Sequence, residues 1–365
     1  MYNFTEDELF LRRFLTFNLK GLKNKKSNGY GYNDFSDLIN AGFHKLMISD
    51  ENGGCGLTAV EAMMVIEEIA KCDAGLAHLI ATNNFCFWYL IELLGTDEQK
   101  SFFGNENFRI GTLAYNEATS EIKTVYRKNG DNYYISGLKT MITAAPYADV
   151  ALIYATNAEG KAGTMFIVEL KGNDNVHIGK RNETMGMESL EIADIILDNV
   201  CVNSKNVLLG ENMGLKCIVR SMELMRITNS AISLGISEAA LEAALKQARE
   251  YNVGNTCLSD MQYIRYELAD MKAEIENMEL LTFYMAQKYD CGCHDMFYYS
   301  SVGKYLSAEK AKNICDRCLQ MFGGYGYIKG YPIEKMYRDV RVLSIIGGTK
   351  EGMKDIIFRH LDNFG

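Results

Sequence analysis

Apolar positions along the chain follow two different periods, and the changes of period divide it into three parts. Over residues 58–71, Thr-Ala-Val-Glu-Ala-Met-Met-Val-Ile-Glu-Glu-Ile-Ala-Lys, they recur three and four apart. That spacing predicts a helix, with Thr58 placed to cap its start. Residues 74–94 continue in the same style and carry the only tryptophan, Trp88. From about 109 to 208 the period shortens to two, or gives way to short β-rich runs at 133–137, 150–154, 164–168 and 192–197. Turn signals separate them: Asn129-Gly-Asp-Asn132, Asn157-Ala-Glu-Gly160 and Gly172-Asn-Asp-Asn175. Helical spacing returns at Gly214 and predicts helices over 215–251, 259–288, 296–322 and 350–362.

The expected fold is therefore α+β and multi-domain. An N-terminal helical domain spans 1–110, an antiparallel β-domain 111–210, and a C-terminal four-helix bundle 211–365. Only two prolines occur, Pro146 and Pro332, which suits long uninterrupted helices.

Composition narrows the function. The chain has 365 residues, 48% hydrophobic and 23% charged, with net charge -9 and pI about 5.3. That balance argues against a general nucleic-acid or anionic-membrane binder, which needs a basic face. No apolar run is long enough to span a bilayer. Residues 1–18 include Glu6, Asp7, Glu8, Arg12 and Arg13, unlike a signal peptide. The ten cysteines are scattered, so reduced thiols in a cytoplasmic protein are expected. Cys291-Gly-Cys-His294 and Cys315-Asp-Arg-Cys318 do not have common zinc spacings, and no metal is expected. His44, His78, His177 and His360 are isolated, and the 19 methionines mostly read as core filler.

The most specific local signature is Gln320-Met-Phe-Gly-Gly-Tyr-Gly-Tyr327, followed by Tyr331-Pro-Ile-Glu-Lys335, Arg338-Asp339 and Ile345-Ile-Gly-Gly-Thr349. In order and spacing it resembles the acyl-CoA dehydrogenase family. Glu51-Asn-Gly-Gly-Cys-Gly-Leu57 is similar to that family's N-terminal glycine turn, and Gly137-Leu-Lys-Thr-Met-Ile-Thr143 to its flavin-side strand. Asn199-Val-Cys-Val-Asn203 with Leu208-Leu-Gly-Glu-Asn-Met-Gly214 is similar to the strand leaving its β-domain. A glycine pair after a helix is by itself usually a C-cap; five motifs in register are not coincidence.

The resemblance implies a helical, β, helical fold and an FAD cofactor between the β-domain and the bundle. It also implies a homodimer or homotetramer in which a neighbouring subunit completes the site. The positions carried over as cofactor-binding are Asn116, Ile142, Thr143, Gln320, Gly323, Gly324, Thr349 and Glu351. Gly323 and Gly324 let backbone approach a dinucleotide closely. Gln320 offers an amide to the ADP portion, and Thr143 faces the flavin ring. Thr349 and Glu351 open a helix near the adenosine end.

The chain also departs from the family pattern. Tyr251 stands where the family has an arginine for the pyrophosphate, and Arg249 lies about 160–200° round a helix from it. Met141 stands where a flavin-side tryptophan is expected. The loop Asn116-Glu-Ala-Thr-Ser-Glu121 is shortened and lacks the family's glycines. Both positions used for a catalytic carboxylate have lost it: Gly347 before the glycine-threonine turn, and Met225 before Arg226. Glu223, Glu117 and Glu351 are nearby acids whose bland readings are surface charge, loop ligand and helix-start charge. Tyr115, Tyr251 and Tyr325 are further candidates near the pocket, and no catalytic residue is assigned.

Three functions remain open at this level. One is an oxidoreductase with an altered base, acting on an acyl thioester of CoA or of an acyl or peptidyl carrier protein. Thr143-Ala-Ala-Pro-Tyr-Ala-Asp149 and the short chain resemble carrier-protein-dependent members from polyketide and nonribosomal-peptide pathways. The second is a flavin monooxygenase on the same fold, which needs no α-carbon base. The third is a partner subunit that keeps the fold without catalysis.

Overall fold

The computed structural model describes residues 4–19, 22, 31–103, 110–119, 121–157 and 162–361. Ser120 and most of the turn expected at 157–160 lie outside the described residues. Helices α1 (Glu6–Asn18), α2 (Tyr32–Asn40), α3 (Ala59–Cys72), α4 (Ala74–Ala81), α5 (Tyr89–Leu94) and α6 (Asp97–Phe103) form the first part. Thr58 caps α3 as expected. Its hydroxyl accepts from Glu61 N–H at 3.2 Å, and the Glu61 carboxylate accepts from Thr58 N–H at 2.8 Å, which satisfies two orphan donors reciprocally. The helix expected over 74–94 is not continuous α. Thr82–Trp88 forms a π-helical stretch between α4 and α5, an irregularity that apolar spacing does not encode.

The sheet carries β1 (Gly111–Ala114), β2 (Val125–Asn129), β3 (Asn132–Thr143), β4 (Val150–Asn157), β5 (Gly163–Glu169), β6 (Val176–Ile178), β7 (Ile192–Asn203) and β8 (Val207–Leu208). Its order is β6-β7-β3-β2-β4-β5-β8, with β1 on β4. The expected antiparallel domain needs one correction: β1–β4 and β2–β4 pair parallel, while the other ladders of this sheet are antiparallel. Strand direction depends on which partners meet in space, and alternation within a strand does not carry it.

The third part is α7 (Gly214–Glu250), α8 (Gln262–Asp290), α9 (Met296–Met321), α10 (Pro332–Val340) and α11 (Lys350–Leu361). The four expected long helices are all present. The sequence reading missed α10 and the hairpin β9 (Asn252–Val253), β10 (Thr256–Cys257). Helix α7 packs on α3, α8 and α9. Gly235 lets α7 cross α3 closely, because a methyl there would stand 2.4 Å from the Glu67 carbonyl oxygen. One apolar core runs through all three parts, from Phe35 and Ile66 through Ile135 and Phe166 to Ile227 and Ile314.

A polar cluster locks the three parts together. Asp73 caps α4 by accepting from Leu76 N–H at 2.8 Å, and takes the Ser189 hydroxyl on the same oxygen. Its other oxygen meets Lys335 Nζ at 2.8 Å, and Lys335 also pairs with Asp339. Asp339 in turn accepts from Met187 N–H. Arg338 reaches the β-domain as well, donating to the Met185 carbonyl at 2.7 Å and the Glu188 carboxylate at 2.6 Å.

Candidate active site

Helix α9 ends at Met321, and the chain turns through Gly323 with φ of 54°, a left-handed conformation that suits glycine. The turn forms one wall of a cavity of about 690 Å³, where Gln320, Gly323 and Gly324 meet Tyr251, Tyr263 and Tyr325. A methyl at Gly323 or Gly324 would meet no atom within 4 Å, so both backbones face open space. Among the described residues the only basic one lining this cavity is Arg317, and it is engaged by Glu267 at 2.7 Å and Glu274 at 3.4 Å. Tyr251 closes α7 before the β9–β10 hairpin, and Arg249 is exposed and not part of the lining.

The other sequence-predicted positions do not line this cavity. Asn116, Ile142 and Thr143 belong to the β-domain. Thr140 N–H donates to the Asn116 carbonyl at 3.0 Å, and the Thr143 carbonyl accepts from the Thr112 hydroxyl at 2.7 Å. The Ile142 side chain is buried in the core, so only its backbone can face a ligand. The β3–β7 register shifts between Lys139 and Ile142, a bulge that gives Met141 a φ of 54° and leaves its side chain exposed. Asp194 accepts from Met141 N–H at 2.9 Å and holds the bulge. Thr349 caps α11 by accepting from Gly352 N–H at 3.2 Å, with Glu351 exposed in the first turn.

The shortened loop is built on a buried ion pair. Glu117 meets Lys139 Nζ at 2.6 Å, with both side chains shielded from solvent. The same carboxylate accepts from Lys123 N–H at 2.6 Å and Thr124 N–H at 3.2 Å. These bonds hold it charged against its burial, with its pKa below the usual range. Glu117 is thus a ligand of its own loop. Glu223 departs from its bland reading: it is buried at 5% exposure rather than lying on the surface. Its pKa is raised by burial, although Arg220 sits 3.1 Å away.

Two buried cations lie beside the glycine turn, with Glu223 acting on Arg226 and Glu309 and Glu351 on Lys304. A side chain at Gly347 would point into open space, since a methyl there meets nothing within 4 Å. Met225 is buried. Arg226, 5% exposed, donates from Nε to the Gly347 carbonyl at 3.1 Å and from Nη1 to the Ser301 hydroxyl at 2.9 Å, with its guanidinium 4.3 Å over the Phe297 ring. Lys304, 1% exposed, donates to the Gly348 carbonyl. Burial lowers the Arg226 pKa to about 10, and burial together with Arg226 lowers that of Lys304 to about 8. The sequence reading passed over Lys304 and Ser301. The signal was a lysine on a face of small residues, Ser300, Ser301, Gly303, Ser307 and Ala308, all of which are buried.

The residues present fit a dinucleotide. A glycine-lined cradle opens on a cavity with tyrosines on its walls, and β3 carries a bulge at Met141. Among the described residues no group of three or more His, Cys, Asp or Glu side chains is placed to hold a metal ion. Likewise, no described helix is long and apolar enough to cross a membrane.

Comparison with known proteins agrees with this geometry. Residues 19–105, 116–200 and 212–361 match the N-terminal, middle and C-terminal domains of acyl-CoA dehydrogenase. A 3-(aryl)acrylate reductase of Clostridium sporogenes is 34% identical over 331 residues, covering 88% of this chain and 87% of that protein. The caffeyl-CoA reductase-Etf complex subunit CarC of Acetobacterium woodii is 31% identical over 87% of this chain and 86% of its own. The butyryl-CoA dehydrogenase structure from Megasphaera elsdenii superposes with a TM-score of 0.93 at 26% identity, covering 99% of both chains. With the three-part fold, the glycine cradle and these likenesses together, the chain belongs to the acyl-CoA dehydrogenase family, and FAD is its cofactor.

Proposed function

We propose that this protein is an FAD-dependent oxidoreductase that works on the α,β-bond of an acyl thioester, in the direction of reduction. The observation that carries the reading is the pair Gly347 and Met225. Neither can accept a proton, and open space faces Gly347. Removing a proton α to a thioester carbonyl is uphill and needs a positioned base. Delivering a proton to the same carbon of an enolate is downhill and can draw on water or an ammonium group. The donor that reduces the flavin sets the direction, and a site without a carboxylate suffices where electrons arrive from such a donor and the proton step runs downhill, as in saturation of an enoyl thioester. The names of two relatives, a 3-(aryl)acrylate reductase and a caffeyl-CoA reductase subunit, support that direction.

FAD, when bound, supplies two-electron hydride exchange at the β carbon. Gln320, Gly323 and Gly324 hold the dinucleotide end by backbone and amide contacts. Thr143, with the backbone of Ile142 and Asn116, faces the ring, and Thr349 and Glu351 flank the adenosine end. Because the two groups line separate surfaces of one chain, a second copy supplies the complementary half of each site. The remaining residues act by excluding water and positioning the thioester, and the α proton comes from solvent. Whether the thioester is carried by CoA or by a carrier protein is set by the surface beside the shortened 116–121 loop.

The test is spectroscopic. Dithionite-reduced, FAD-loaded protein is mixed anaerobically with an enoyl thioester such as cinnamoyl-CoA, and oxidised protein with the saturated thioester. Recovery of the oxidised flavin band in the first mixture, without bleaching in the second, is expected. Bleaching by the saturated thioester reverses the direction, and a protein that takes up no FAD sinks the reading.

A further inference from the structure

We infer that the seam between α1, α3 and α7 is a proton-operated clasp: Glu67 and Glu238 share one proton while it is closed, and loss of that proton frees Glu238 and loosens the end of α1. Lys71 Nζ on α3 meets three carboxylates at once, Glu67 at 2.9 Å, Glu68 at 2.6 Å and, from α7, Glu238 at 2.7 Å. One ammonium cannot balance three negative charges. Arg12 of α1 brings a second cation, but it is divided between Glu67, at 2.7 and 2.8 Å, and Glu279 of α8 at 2.7 Å. Among the described residues the cluster thus joins two cations to four carboxylates. Negative charge in excess of its partners and withdrawn from water is relieved by taking up a proton.

Burial and contact decide which carboxylate takes it. Glu67 is fully buried and held by both cations. Burial opposes its ionisation, but Lys71 and Arg12 outweigh that and keep its pKa below the usual carboxylate range. Glu238 meets Lys71 alone of the two, and its side chain keeps 23% exposure. Burial and its like-charged neighbour Glu67 push its pKa up from 4.5 to about 7. Two acids on one ammonium whose surroundings drive them apart divide into a standing anion and a proton holder.

Protonated, Glu238 can donate a hydrogen bond to Glu67. Ionised, it is a third anion on Lys71, and it is the one with room to move. With Glu68, Lys71, Cys72 and Glu242 it lines a cavity of about 290 Å³, closed on the α1 side by Thr16 and Leu19. A carboxylate turning into that cavity carries water against the last turn of α1, where the Thr16 hydroxyl donates to Glu68 at 3.2 Å. Because the closed-state pKa is raised, the clasp is fully stable below about pH 4.5 and weakens as pH rises through 7.

The experiment uses the full FAD-loaded chain and the Glu238→Gln variant, whose amide can still donate to Glu67 but has no proton to lose. Infrared difference spectra taken on either side of pH 7 read the protonated carboxyl stretch. The parent should lose one such band that the variant lacks throughout. Hydrogen exchange over residues 6–19, corrected for the intrinsic pH dependence of exchange, reads the docking of α1. Protection in the parent should fall about tenfold between about pH 6 and about pH 8, as one proton released from the closed state requires, and should stay level in the variant. Equal falls in the two proteins, or a band lost with no change in α1, overturn the inference. If the variant does not fold, the parent alone decides: protection that does not fall along with the band overturns it.

Discussion

Lys335 Nζ lies 2.8 Å from Asp73 Oδ2, joining residues 262 positions apart in the chain. Asp73 opens α4 in the first helical part, and Lys335 sits on α10 beside the C-terminal turn. Asp339 and Ser189 complete the cluster, so one lysine is the shared counter-charge of two carboxylates that are themselves 2% and 3% exposed.

Replacing Lys335 with Met should therefore cost more than the loss of a surface ion pair. It leaves Asp73 and Asp339 buried and facing each other without a counter-charge. Lys335 retains 30% side-chain exposure, so the cost should fall at the lower end for a broken buried pair, about 3 kcal/mol. Urea unfolding followed by circular dichroism measures it. A loss below about 1 kcal/mol, the scale of an exposed pair, would show that the cluster is not structural.

The Tyr251→Arg variant should hold FAD more tightly. Among the described residues Arg317 is the sole basic one lining the cavity beside Gly323, and it is already paired with Glu267 and Glu274. A guanidinium at 251 gives the pyrophosphate a charge-assisted partner, worth about 1.5–3 kcal/mol, or roughly tenfold or more in affinity. Flavin fluorescence quenching against FAD concentration reads it. The variant's affinity should also become more sensitive to salt than that of the parent. Unchanged affinity would mean that position 251 does not reach the phosphates.

His78 should make the fold acid-sensitive. Its ring is buried, Nδ1 has no partner among the described residues, and burial lowers its pKa from 6.5 to about 4. Between those values the unfolded chain binds a proton that the folded chain refuses. Stability from this residue is complete above about pH 6.5 and drains as pH falls towards 4, by up to about 3 kcal/mol. His78→Leu should flatten the stability curve in that window by about one proton relative to the parent. Parallel curves for the two proteins would contradict the assignment.

Glu117→Ala should loosen the loop that resembles the family's flavin-side segment. It removes the acceptor for Lys123 and Thr124 N–H and leaves Lys139 buried without its partner. Faster amide exchange at 117–124 is expected, with a stability loss of about 3 kcal/mol or more. Lys139→Met alone should cost a similar amount. The double variant should cost less than the sum of the two, because each single change strands the other charge. Additive losses would show that the pair is not coupled.

Much of the architecture was legible before any coordinates. Helical spacing placed α3, α7, α8, α9 and α11 because each must turn one apolar face to a neighbour, and Thr58 with Glu61 marked the start of α3. The same reading missed α10, a nine-residue helix starting at Pro332 and too short for a period to declare itself. It also missed the π-helical stretch at Thr82–Trp88, where polar and apolar residues alike are buried and leave no stripe to follow.

The candidate site divides in the same way. By itself the sequence determined which atoms are present: the glycine pair at 323 and 324, the tyrosine at 251, and the absence of a carboxylate at 225 and 347. Residue identity is local, and loss of a functional group needs no fold to be recognised. Only the tertiary structure decided what those identities face. It buried Glu223, tied Glu117 to Lys139 on β3, and set Arg226 and Lys304, on different helices, against the carbonyls of one glycine turn. Burial and charge pairing depend on which distant segments pack together, and a one-dimensional pattern of polar and apolar positions holds no record of that packing.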